Sequence, residues 1–117
     1  MPAFKNTAAQ GEITIRRISK LPDGVKEMTP ENGVFVVGHS ETGHDHVMTM
    51  DRAKFFEAAN PPAGMRILYA LLDAPKELIH RREFDTHQPI SHEPGIYEYR
   101  IGREYDPYAE IARRQAD

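Results

Sequence analysis

Short apolar segments, interrupted every few residues by proline or glycine, limit the folds open to this sequence. The strongest are residues 33–38, rich in valine, and residues 65–72, the most apolar part of the chain. Both are typical of buried strands. We expect about seven such strands, spaced closely enough for a β-sandwich or barrel. A length of 117 residues fits one compact domain, so residues 1–117 are predicted to form a single, mainly β domain.

The other strands are assigned from alternation and from turn residues. Residues 12–16 and 96–101 alternate polar and apolar side chains, which indicates strands with one face in the core. Residues 88–92 are predicted to form an edge strand, because Pro89 cannot donate a hydrogen bond to a neighbouring strand. The sequence also favours strands at two further places: 47–50, as the partner of 33–38, and 77–81.

The remaining segments are less regular. Residues 53–59 fit either a short helix or a strand, and residues 26–32 are expected to form a polar loop. Residues 1–10 are expected to form an N-terminal arm or an added strand. Residues 108–115 are predicted to form a short C-terminal helix, since Pro107 suits its first turn.

Composition excludes several classes of function. The chain has no cysteine, which rules out disulfides and thiolate metal sites. A net charge of -3 and a pI near 6.1 give no electrostatic basis for binding nucleic acid or an anionic membrane. No apolar run approaches membrane-spanning length and the N-terminus lacks a signal-peptide core, so a cytoplasmic protein is expected.

All six histidines lie between His39 and His92. His44 and His46 come just after the buried segment 33–38 and are separated by one residue. In an extended chain, side chains at i and i+2 project to the same face, so two imidazoles can converge on one site. That arrangement suits a divalent metal, or proton transfer without a metal.

A catalytic metal site takes about three protein ligands and keeps one open position. We expect His80 or His87, on a neighbouring strand, to supply the third nitrogen beside His44 and His46. Without cysteine, the metal is one that accepts nitrogen and oxygen ligands, such as zinc, iron, nickel or manganese. The carboxylates available to add an oxygen ligand or to orient an imidazole are Glu41, Asp45 and Asp85.

Each histidine taken singly also has a structural interpretation. His39, His80 and His92 can each be a hydrogen-bonded strand residue, and the spacing of His44 and His46 also occurs in surface loops. Both interpretations stay open at this point.

A second polar group follows the strand predicted at 96–101. Arg103, Glu104 and Tyr105 combine a fixed cation, a carboxylate and a phenol. They could bind an anion beside the histidines, or Arg103 and Glu104 could form a surface ion pair of little energetic consequence.

The spacing around the histidines resembles the first cupin motif: a glycine, a short spacer, His-x-His and then an acidic residue. Gly38, His44 and His46 match this spacing, and Asp51 takes the acidic position. Ala58 stands where the motif has a later glycine. In the second motif, the proline and glycine are adjacent instead of spaced, and no histidine follows them. The resemblance implies a cupin-like barrel with a histidine-bound metal and leaves the third ligand unassigned.

A broader pattern is similar to a family of small proteins from bacterial and phage genomes to which no activity is assigned. This resemblance implies no chemistry, but it favours His44, His46, His80 and His87 as the positions of interest. The segments that carry it are 11–18, 40–46, 78–80, 85–87, 94–97 and 103–107.

Three functions are consistent with these patterns. The first is a small soluble domain that binds a divalent metal and a small ligand through its histidines, with or without catalysis. The second is a non-enzymatic structural or interaction protein, such as a virion-associated phage component or a homo-oligomer. The third is a small regulator that binds another protein.

Overall fold

The computed structural model describes residues 3–10, 13–38, 45–80 and 89–102, with Gln10 and His80 described by their backbone. Within these ranges every regular element is a strand. The strands are β1 (Thr7–Gln10), β2 (Ile13–Ile18), β3 (Val25–Glu27), β4 (Val34–Gly38), β5 (His46–Thr49), β6 (Ala53–Ala58), β7 (Met65–Leu72), β8 (Lys76–His80), β9 (Ile90–His92) and β10 (Gly95–Gly102).

The strands form two antiparallel sheets that pack face to face. One sheet has six strands in the order β1-β2-β10-β7-β6-β3, and the other has four in the order β4-β5-β8-β9. A single cluster of buried side chains draws on both sheets. The prediction of a mainly β fold is therefore confirmed, in the form of a sandwich. No helix in the described ranges is long and apolar enough to cross a membrane.

The core follows from alternation along the two longest strands. Tyr97, Tyr99 and Ile101 of β10 are buried and face the other sheet, while Arg100 between them is exposed. On β7, Leu68 lies directly opposite Tyr99. Because β7 pairs with β10 on one side and β6 on the other, residues 65–72 form the central strand that the sequence predicts.

Several local predictions are confirmed by the strand pairing. The segment 33–38 pairs with 46–49 as β4 and β5, and β9 lies at the edge of its sheet. The ambiguous segment 53–59 is strand β6. Of the alternatives for the N-terminus, Thr7–Gln10 is an added strand that pairs with β2.

The expectation of a polar loop over 26–32 is wrong at its beginning. Val25–Glu27 forms β3, which pairs with β6 through Val25 and Ala58. This pairing joins segments far apart in sequence, and tertiary context of that kind overrides the local polarity of a strand. The predicted C-terminal helix at 108–115 lies outside the described residues, as does the predicted bend at 39–44.

A row of four rings crosses the space between the sheets. Phe35 of β4 contacts Phe55 of β6 with ring centroids 4.8 Å apart, and Phe55 contacts Tyr99 at 5.5 Å. Tyr99 in turn stacks on His92 of β9 at 5.9 Å. We call these four residues the aromatic row. It ties both outer strands of the four-stranded sheet, β4 and β9, to the other sheet.

Hydrogen bonds satisfy the polar atoms of the aromatic row. The Tyr99 hydroxyl lies 2.9 Å from His92 Nε2, and His92 Nδ1 lies 3.0 Å from the Ile90 carbonyl oxygen. Burial lowers the pKa of His92 to about 4, so the imidazole is neutral at neutral pH, and burial raises the pKa of Tyr99 well above its ordinary value. A neutral imidazole carries one proton, and because the carbonyl can only accept, that proton is on Nδ1. Nε2 then accepts from the Tyr99 hydroxyl.

We predict that His92 makes the fold sensitive to acid. Since the pKa of His92 is lower in the fold than the ordinary 6.5, the unfolded chain takes up this proton first as the pH falls. The stabilisation is complete above the ordinary pKa and is lost as the pH falls towards 4. Between about pH 7 and pH 4.5, the titration of His92 lowers the free energy of unfolding by about 2 kcal/mol.

The measurement is the free energy of unfolding in urea at both pH values, for the parent and for His92→Gln. Glutamine keeps hydrogen-bonding groups in the core but does not titrate. The variant starts less stable and loses less on acidification. An equal loss in the two proteins would show that His92 is not responsible.

Candidate functional site

Polar residues face the inter-sheet space at one end of the sandwich. There β4 ends at Gly38, β5 begins at His46, and β8 ends at His80. In the other sheet, β6 ends and β7 begins at this same end of the sandwich. We call this the histidine end. It is defined by Gly38, His46, His80, Glu57, Arg66 and Ile101.

His46 and His80 occupy opposite positions on paired strands. The register of β5 with β8 matches His46 to His80, and that of β4 with β5 matches Gly38 to His46. Directly opposite residues in an antiparallel pair have Cβ atoms about 4.5–5.5 Å apart. The His46 side chain is 1% exposed. It therefore belongs to the inter-sheet packing and not to a surface loop.

Gly38 allows the two sheets to approach each other beside His46. A Cβ atom at Gly38 would lie 2.9 Å from Ile13 Cδ1 and 3.6 Å from His46 Cδ2. Ile13 is itself fully buried in the other sheet. The β4–β5 register also shifts between Val36 and Gly38, which is a bulge. Bulges re-aim side chains at the ends of sheets.

Two charged residues take core-facing positions on the other side of the space. Arg66 lies two residues before the buried Leu68 on β7, so the two share a face. Glu57 has the same relation to Phe55 on β6. Arg66 Nε donates to Glu57 Oε1 at 2.7 Å. Their side chains are 36% and 37% exposed, so water reaches the pair from the open end.

A cavity of about 570 Å³ lies between the sheets at this end. Such a volume lies within the range of about 300–1,000 Å³ typical of small-molecule sites. The wall is mostly apolar, with the ion pair as its charged part. It is formed by Gly38 from one sheet and by Glu57, Ala58, Ala59, Pro61, Met65, Arg66 and Ile101 from the other.

Comparison with known families gives one match. Residues 9–102 match the model of a domain of unknown function, DUF8820. The chain belongs to the DUF8820 family. The expectation of a family without an assigned activity is thereby confirmed. No curated protein matches the chain, and no solved structure does.

Only some of the site residues predicted from the sequence lie within the described part of this DUF8820 domain. Of the four histidines proposed as ligands, His46 is described in full and His80 by its backbone, and the pairing brings them together. In the described ranges, no group of three or more histidine or carboxylate side chains could hold a metal. The other predicted site residues lie outside the described residues: His44, His87, Glu41, Asp85, Arg103, Glu104 and Tyr105.

The segments that carry these other residues join the described chain near the histidine end. Residues 39–44 lie between Gly38 and Asp45, and residues 81–88 follow His80 directly. Residues 103–105 follow Gly102, the last residue of β10. The described strands that border these segments, β4, β5, β8 and β10, therefore have their adjoining termini at the histidine end.

The fold also shows the surroundings of His92 and Asp51. His92, given a structural interpretation in sequence, is bonded inside the aromatic row. Asp51, the acidic residue of the cupin-like spacing, lies beyond the opposite end of β5 from His46. Its carboxylate accepts from Lys76 Nζ at 2.8 Å, and hydrogen bonds from Lys76 and Thr49 lower its pKa.

Arg66, Glu57 and the cavity of this DUF8820 domain were not predicted from the sequence. A signal was present, because Arg66 interrupts the apolar run 65–72 at a position in phase with Leu68. A cation in phase with core residues marks a place where the core opens to water.

We predict that Gly38→Ala destabilises the fold, because the new methyl group presses on the buried Ile13. Overpacking of this kind costs about 1–3 kcal/mol. Gly102→Ala is the matched control, since Gly102 also ends a strand here but a Cβ atom there meets nothing within 4 Å. Urea unfolding compares the two. Equal stabilities for both variants would contradict the close approach of β4 to β2.

Proposed function

We propose that this domain binds a divalent metal ion and a small ligand at the histidine end. The observation that supports this most directly is the register that sets His46 opposite His80. His46 is paired on its other side with Gly38, which belongs to the cavity wall. In the proposal His46 and His80 supply two nitrogen ligands, and His44 or His87 supplies the third.

The chemistry of the chain favours nitrogen ligation. Zinc binds histidine nitrogen at about 2.0–2.1 Å, so imidazoles on opposite residues of neighbouring strands can share one ion. Without cysteine, the remaining ligands must be oxygen or water. In the proposal, Glu41, Asp45 or Asp85 adds an oxygen ligand or orients an imidazole.

The cupin-like spacing of Gly38, His44 and His46 is consistent with this proposal, as is the position of Gly38 beside His46. Arg103, Glu104 and Tyr105 follow β10 at the same end and are proposed to help hold the small ligand. Metal-assisted catalysis is an extension of this proposal that requires an open coordination position.

An interaction protein is the second candidate, and one feature of the fold favours it. Among the described strands, β4 is an outer strand of its sheet, and Val34–Gly38 carries no charged residue or proline. Uncharged outer strands are open to pairing with another chain, whereas natural sheets usually protect them with charge or proline. A homo-oligomer, a virion component or a regulator of another protein could use this edge. Analytical ultracentrifugation tests the first of these directly.

The metal proposal predicts that zinc, nickel, iron or manganese raises the melting temperature of the chelator-treated protein. Ligand at a hundred times its Kd stabilises a fold by about 2.7 kcal/mol. Calorimetric titration of His80→Gln is expected to show metal affinity reduced at least about tenfold, since one ligand is lost. Circular dichroism verifies that the variant is folded.

His92→Gln is the matched control, because it replaces a histidine outside the proposed site. It is expected to melt at a lower temperature than the parent but to keep the full metal-induced increase. If none of the four metals binds the parent, the metal proposal is wrong. If metal binds the parent and His80→Gln equally, the ligand set proposed here is wrong.

A further inference from the structure

We propose that the cavity at the histidine end binds a small carboxylic acid with an apolar body, whose carboxylate pairs with Arg66. This inference rests on the small-ligand part of the proposed function and names its chemical class. It requires no metal ion.

Arg66 lines the cavity from a core-facing position, so its guanidinium can anchor a ligand there. It faces the inter-sheet space in phase with Leu68, and Ile101 of β10 lies directly opposite it. The side chain is 36% exposed. A ligand entering from the open end can therefore reach the guanidinium while its own body leaves water.

Glu57 holds the guanidinium in place without using all of it. The bond to Glu57 engages Nε at 2.7 Å, which is one of several N–H donors on the group. The two Nη atoms carry the remaining donors in a planar fork. A fork of this kind matches the two oxygens of a carboxylate, which is why arginine recurs where carboxylates are recognised.

The rest of the wall selects an apolar body. The other residues that line the cavity include Ala58, Pro61, Met65 and Ile101, which are apolar, and Gly38 adds no side chain from the facing sheet. Removal of apolar ligand surface from water favours binding to such a wall. A carboxylate with a short aliphatic or aromatic body can therefore pair with the guanidinium and also contact the apolar residues, whereas a free inorganic anion can only pair with the guanidinium.

A second ion pair, between residues just outside β6 and β7, shows what is particular about Arg66. Arg52 Nε bonds Asp73 Oδ1, also at 2.7 Å, at the other end of β6 and β7. Those side chains are 62% and 69% exposed, so water competes there for any anion. Both pairs have the same distance between Nε and the carboxylate oxygen, but the side chains of Arg66 and Glu57 are less exposed to water.

The test titrates the chelator-treated protein with hexanoate and benzoate, and in parallel with hexanol and benzyl alcohol. Heteronuclear NMR shifts of cavity residues report binding and its location. We expect both acids to bind at the cavity and the alcohols to bind at least about tenfold more weakly, as expected for loss of a charge-assisted pair.

Arg66→Gln should weaken acid binding at least about tenfold. Arg66→Lys keeps the charge without the fork and should fall between Arg66→Gln and the parent. Arg52→Gln, the matched control, should bind as the parent does. Urea unfolding of each variant establishes that it is folded.

Three results would overturn the inference: neither acid binds, acids and alcohols bind equally, or Arg66→Gln binds the acids as well as the parent. His80→Gln separates this inference from the metal proposal, because it should keep acid binding in the presence of chelator. Acid binding without any metal binding would leave this inference standing while the metal proposal failed.

Discussion

The stacking of Tyr99 on His92, with the hydrogen bond that joins them, is the contact between the sheets on which the other features depend. The aromatic row continues from Tyr99 through Phe55 to Phe35, so it attaches both outer strands of the four-stranded sheet to the centre of the other. Aromatic contacts of this kind add about 0.5–1.5 kcal/mol beyond the burial of their area. The two polar groups in the row can be buried because each satisfies the other.

With the centre of the core filled in this way, the other core-facing polar side chains described here lie towards the ends of the sandwich. At the histidine end, the core-facing positions next to Phe55 and Leu68 are occupied by Glu57 and Arg66, and the position next to Met48 is occupied by His46. Polar side chains at core-facing positions depart from the local rules of packing, and such departures are expected at functional sites.

Much of the fold could be predicted because the alternation of polar and apolar side chains is visible within short segments, such as residues 12–16 and 96–101. β6 stayed ambiguous because Phe55 and Phe56 are adjacent, which suits a strand with two apolar faces as well as a helix. β3 was missed because its stability comes from pairing with β6. The opposition of His46 and His80 needed the register of β5 with β8, which depends on long-range contacts. Arg66 was overlooked because its strand was treated as one apolar run instead of two faces.

The histidine end combines chemistry from both sheets. β5 and β8 supply the imidazole positions from one, while β6 and β7 supply the guanidinium and carboxylate from the other. Gly38 sets how closely the sheets approach between them. Tyr99 is two residues, or roughly 7 Å of strand, from Ile101 in the cavity wall. The cavity wall therefore joins the packed core through Ile101, and Glu57 holds the Arg66 guanidinium through a hydrogen bond. A ligand there meets groups already held in place, which lowers the entropic cost of binding.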